Sequence, residues 1–174
     1  MARVAVRRII LLAVLVLVIA IQFYPTGLDR SAPDPSQAIE SVLQPGPEVA
    51  RILARSCDDC HGTARVWPWY ASVAPASWLV AGDVKDAKGK IDFAHWAQFP
   101  PRRQARFLEA MNDEVRQGGM PLPKYLWMHR NARLSAAEKQ LFGAWTERER
   151  AKLGAPAEPD QAGEPGKRGT EQRR

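Results

Sequence analysis

Two cysteines and a histidine stand within five residues at Cys57-Asp58-Asp59-Cys60-His61, and no other feature restricts this chain as much. On a helical turn, positions i, i+3 and i+4 share one face, so two thiols and one imidazole are offered to a single object. That is what fastening a porphyrin requires: two thioether bonds and one ring nitrogen for the iron. In this reading Cys57 and Cys60 attach one haem c per chain, and His61 is the proximal ligand.

Other uses of the pattern fit less well. A zinc site wants four ligands, and beyond the motif the chain holds only His95 and His129 as further histidines and no further cysteine. A thioredoxin-like Cys-x-x-Cys pair belongs at a strand-to-helix junction in a βαβ setting, and no such pattern is present. With both cysteines in the motif, none remains for a structural disulfide.

The net charge of +6 arises half from residues 1–28 and half from residues 29–152, where 18 basic residues face 15 acidic ones. These charges are interleaved, which describes a solvated face and excludes a nucleic-acid groove.

From Ile9 to Leu28 no residue is charged, and Arg3, Arg7 and Arg8 precede the stretch. This is the pattern of a secretory signal or an uncleaved signal anchor whose N-terminus stays in the cytoplasm. The twenty uncharged residues approach one bilayer span, and Phe23-Tyr24 suit its outer interface. Val18-Ile19-Ala20 makes only a weak cleavage site, so residues 1–28 are read as an anchor. The remainder then lies on the periplasmic side of a bacterial cytoplasmic membrane, where haem is attached covalently.

Residues 29–47, with prolines at 33, 35, 45 and 47, read as an extended tether with at most a short turn near Gln37–Leu43. The haem-binding domain is placed at 48–152. Val49, Ile52 and Leu53 form a helical stripe that feeds into Cys57. Trp67, Trp69, Tyr70 and Trp78 concentrate large flat rings just past the motif, and with Tyr125 they are expected to line the haem pocket. The carbonyl of Pro68 or Pro75 is a candidate acceptor for the second ring nitrogen of His61. Residues 82–90, with mixed charge and two glycines, read as an exposed connection, and Ile91–Trp96 as a short helix or turn.

Pro100-Pro101 opens a clearer helix whose stripe is Phe107, Leu108, Met111 and Val115. It stops at Gly118-Gly119. Met120 follows, on a loop between glycines and prolines, and is the expected second iron ligand; Met128, His129 and His95 compete for that role. Ser135 and Glu138 form a capping box ahead of Leu141, Phe142 and Trp145, the stripe of a last helix ending near Lys152. Residues 153–174 carry no large apolar side chain past Leu153 and are expected to stay disordered.

Cys57-Asp58-Asp59-Cys60-His61, Trp67-Pro68-Trp69-Tyr70, Ala74-Pro75-Ala76-Ser77-Trp78-Leu79 and Met120-Pro121 followed by Tyr125 together resemble the single-haem "haem-binding domain" family of bacterial membrane-anchored proteins, relatives of class I c-type cytochromes. The resemblance covers residues 45–152. It implies an all-α, cytochrome-c-like fold, thioethers at Cys57 and Cys60, His61 and Met120 as axial ligands, and one-electron transfer between redox partner proteins. It supplies neither donor nor acceptor. A haem sensor or peroxidase-like enzyme with an open distal site, and a haem subunit of a larger respiratory complex, are the alternative functions.

Overall fold

The computed structural model describes residues 2–28, 33–62 and 67–154. All of its regular structure is helical, with no strand among the described residues.

Helix α1 (Ala2–Ile21) stands apart from the rest, its apolar side chains open to the surroundings over nearly its whole length. It is long and apolar enough to cross a membrane. A one-turn 3-10 segment (Pro35–Gln37) and α2 (Ile39–Leu43) come next, then α3 (Pro47–Ser56) and the single turn α4 (Asp58–His61). Pro47 starts α3, where a missing amide hydrogen costs nothing, and Val49, Ile52 and Leu53 turn to the core. A 3-10 turn at Trp69–Ser72 leads into α5 (Ala76–Lys90), and another at Phe93–Gln98 leads into α6 (Pro101–Gln117). Helix α6 buries Leu108, Met111 and Val115 and ends at Gly118, whose φ of 79° is the left-handed cap that favours glycine. Short turns at Tyr125–Trp127 and Arg130–Ala132 precede α7 (Ala136–Lys152).

Helices α6 and α7 make the most extensive packing in the molecule. Glu109 of α6 and Arg150 of α7 add an ion pair at 3.2 Å. The capping box forms as read from the sequence: Ser135 Oγ accepts from the Glu138 amide, and the Ser135 amide donates to Glu138 Oε2. Arg55 reaches across from α3 to the same carboxylate at 2.7 Å, tying the helix that leads to the motif to the start of α7.

Three expectations change. The short turn read near Gln37–Leu43 is present as α2, but the stretch is not an extended tether: Ile39 is wholly buried in the main core with Leu53, Trp96 and Leu108. Ile39, with Leu43 packed against the same core, holds the stretch down. Residues 82–90 are not a connection but the second half of α5; its inward stripe of Ser77, Val84 and Ala87 is built from small side chains and leaves a faint hydrophobic signal. The motif does not end α3 but forms its own turn, because Cys57 breaks the helix with φ −127° and ψ −41°. Residues 29–32 and 155–174, which include most of the tail expected to be disordered, lie outside the described residues.

Candidate functional site

Despite that break, the spacing of the motif survives. The carbonyl of Cys57 accepts from the amides of both Cys60 and His61, at 3.2 and 3.0 Å, closing one helical turn. Cys57 therefore caps the turn that carries His61.

A cavity of about 340 Å³ opens beside this turn, within the roughly 300–1,000 Å³ that ligand pockets span. Cys57 and His61 contribute from the motif, Ile91 and Phe93 from the segment after α5, Phe107, Met111 and Val115 from α6, and Phe142 from α7. Met120 and Pro121 complete the lining from the exit of α6. Among the described residues, Lys90 and Glu114 are its charged lining residues. Cys57 and Met120 also pack against the main core, so the cavity is continuous with the protein interior.

His61 is held in a specific tautomer. Its Nδ1 lies 2.9 Å from the carbonyl oxygen of Ile91, and because a carbonyl can only accept, Nδ1 carries the hydrogen and Nε2 keeps its lone pair. The acceptor is thus Ile91, not Pro68 or Pro75. The ring also stacks on Phe93, with centroids 5.1 Å apart. Burial holds the imidazole below its ordinary pKa, outweighing the bond to Ile91 and the pull of Asp92, so the ring is neutral near pH 7. A neutral, oriented imidazole is a metal ligand in waiting.

Met120 is fixed just as closely. Its amide and that of Gly119 both donate to the carbonyl of Glu114, at 3.1 and 2.9 Å, fastening the loop to the end of α6. The competitors lie elsewhere. His95 is half-exposed and bonded to Asp92 at 2.8 Å; His129 stacks on Tyr125 with centroids 4.1 Å apart and bonds Tyr70; Met128 is exposed to solvent. None of the three lines the cavity.

Burial, with the Asp58 and Glu40 carboxylates close by, pushes the Cys57 thiol well above its usual range. Burial and Asp59 push Cys60 up to about 11. Cys60 lies half-buried one turn on, outside the cavity lining. Burial, reinforced by Glu40 and Asp59, raises the Asp58 carboxyl to about 7.

The aromatic residues expected to wrap the cofactor do not line this cavity. Trp69 is largely exposed, and Trp78 meets Tyr24 edge to face at 5.9 Å. Trp67 is half-buried and lines no part of the cavity either. Tyr70 and Tyr125 belong to a polar cluster on another side of the motif, where the Tyr125 hydroxyl donates to Asp59 Oδ2 at 2.6 Å and Tyr70 bonds His129. The rings that do line the cavity are Phe93, Phe107 and Phe142. The last two were legible as core positions on the stripes of α6 and α7; nothing in the sequence separates a core phenylalanine from one facing a ligand.

The donor set fits a haem. One neutral imidazole with a free ring nitrogen, one thioether and one cysteine sulfur line one apolar cavity, where a flat macrocycle gains from burial and a ring nitrogen and a thioether sulfur are donors that suit iron. An all-helical domain with such a cavity has room to house a haem. The chain matches the model of the family described as "Haem-binding domain" over residues 16–148, and it belongs to that family. No curated protein and no solved structure matches it.

Proposed function

We propose that this chain is a membrane-anchored haem c protein that carries single electrons between redox partner proteins. The observation that carries the reading is the meeting of Cys57, His61 and Met120 in one apolar cavity from separate parts of the chain. Cys57 and Cys60 would hold the macrocycle through thioethers, and His61 Nε2 and the Met120 thioether would bind its iron. A haem bound here supplies a one-electron iron couple. The protein's part is to orient the imidazole through Ile91, to fix the methionine through Glu114, and to exclude water with Phe93, Phe107 and Phe142.

Electron carriage needs no substrate pocket beyond the cofactor, and a histidine–methionine pair raises the potential of haem iron. Arg3, Arg7 and Arg8 in the first turns of α1, ahead of its uncharged stretch, keep the N-terminus in the cytoplasm and put the domain on the periplasmic side of a bacterial cytoplasmic membrane.

The test is spectroscopic. The protein made in a host competent for cytochrome c maturation should retain its pigment through acidic organic extraction and show a weak far-red charge-transfer band in the ferric form. Met120→Ala should abolish that band and open the iron to carbon monoxide. A band that survives Met120→Ala overturns the ligand assignment. Pigment extractable from the wild-type chain overturns covalent attachment.

A further inference from the structure

Outside α1, the large apolar side chains left open to solvent fall into two groups. Phe23, Tyr24, Trp69, Val73, Trp78 and Leu79 form the larger; Val42, Trp127 and Met128 make up the rest among the described residues.

Tyr24 and Trp78 of the larger group meet where α1 ends. Gln22, one residue past the helix, grips the backbone of Ala74 from both sides: its Oε1 accepts from the Ala74 amide at 2.9 Å, and its Nε2 donates to the Ala74 carbonyl at 3.4 Å. Tyr24 meets Trp78 edge to face, and these two line a groove with Ala20 and Ile21. From Trp67 to Gly82 the chain has no charged residue. Yet Leu79 is 70% exposed and Trp69 74% exposed.

The height of this face follows from helix geometry. The helix span Arg3–Ile21 has 19 residues, about 29 Å at 1.5 Å per residue, and its uncharged part, Ile9–Ile21, has 13, about 20 Å. It fills a hydrocarbon core of roughly 30 Å with Arg7 and Arg8 snorkelling back to the cytoplasmic headgroups. With the arginines so placed, Gln22, the polar residue that ends the apolar run, falls near the outer boundary with the headgroups, and its two bonds hold Ala74 at the same level. Tryptophan and tyrosine, apolar in body and polar at one edge, are the side chains that settle there.

We infer that the face carrying Val73, Trp78 and Leu79 rests in the headgroup layer of the bilayer that α1 crosses. The inference rests on the membrane-spanning reading of α1 and adds an orientation to it: the haem domain lies on the lipid surface instead of hanging from a linker. An uncharged surface enters that layer without stripping water from an ionised group, and its exposed leucine and tryptophan gain by leaving water.

The test reconstitutes the full chain in phosphatidylcholine–phosphatidylglycerol vesicles doped with a phospholipid bearing a photoactivatable diazirine near the top of its acyl chain, and maps the adducts by mass spectrometry. Adducts are expected on α1 and on the peptide holding residues 67–82, with few around Trp127, which is 82% exposed but sits beside Arg130 and Arg133 instead. Leu79→Glu should remove the adducts on 67–82 while those on α1 and the haem content stay as they were. Adducts confined to α1 would overturn the inference and leave the anchor standing. Their absence from α1 as well would overturn the spanning reading and the orientation together. Protein cross-links joining residues 67–82 of two copies would assign the face to self-association and overturn the lipid.

Discussion

Ile39→Ala is the sharpest probe of where this domain begins. The side chain has no exposed surface and packs in the main core. The substitution deletes Cγ1, Cγ2 and Cδ1, which at roughly 0.8 kcal/mol per carbon group costs about 2.4 kcal/mol in lost burial. A residual void of roughly 50 Å³, at about 24 cal/mol per Å³, adds about 1.2 kcal/mol. The sum, about 3.5 kcal/mol, is a large share of the roughly 5–15 kcal/mol that holds a domain together. The assay is urea unfolding of the full chain in detergent, followed by helical circular dichroism. With m near 1–3 kcal/mol/M, the midpoint should fall by at least about 1 M. Val42→Ala, on the same short helix but 39% exposed, is the control and should stay within about 0.5 kcal/mol of the parent. If Ile39→Ala is no more damaging than Val42→Ala, residues 33–47 are a tether after all, and the domain starts at α3.

Other perturbations reach the frame of the site. The Ser135 amide and hydroxyl and the Arg55 guanidinium hold the Glu138 carboxyl down at about 2, against 4.5 unperturbed; its contribution is therefore complete above about pH 4.5 and lost as pH falls toward 2. Glu138→Gln should flatten that part of a stability–pH profile, and Ser135→Ala should cost about 1 kcal/mol in the same urea assay. At Gly62 a methyl group would lie 2.7 Å from Asp58 Oδ1 and 3.0 Å from its Cα, so Gly62→Ala should cost about 1–3 kcal/mol and lower the haem-to-protein ratio of purified material. Tyr125→Phe removes the bond to Asp59 and should cost about 1 kcal/mol while leaving the Soret band unchanged, because Tyr125 lies outside the cavity; a shifted band would return Tyr125 to the haem pocket.

What the sequence conveyed depended on how local each signal was. The stripe and glycine stop of α6 and the capping box of α7 are encoded within a few neighbouring residues and appear as read, while the motif keeps its one-turn spacing on a turn separate from α3. Ile39 was opaque because its burial depends on Trp96 and Leu108, far along the chain. Helix α5 was hidden by small inward residues and two glycines that its helix tolerates. The tryptophans were ambiguous for a physical reason: aromatic rings serve core, cofactor and membrane interface alike, and only their three-dimensional surroundings distinguish these uses. Trp96 and Trp145 took the core positions, leaving Trp69 and Trp78 outside.

If Cys57 and Cys60 carry a haem as proposed, the order of the cavity's walls along the chain bears on its attachment. The motif turn ends at His61, whereas Met120 and Phe142 follow some sixty and eighty residues later. A chain passing the membrane behind a retained N-terminus would display both sulfurs before the later walls exist to cover them. Maturation enzymes would meet an open bench during synthesis, and the finished domain would shut around work already done.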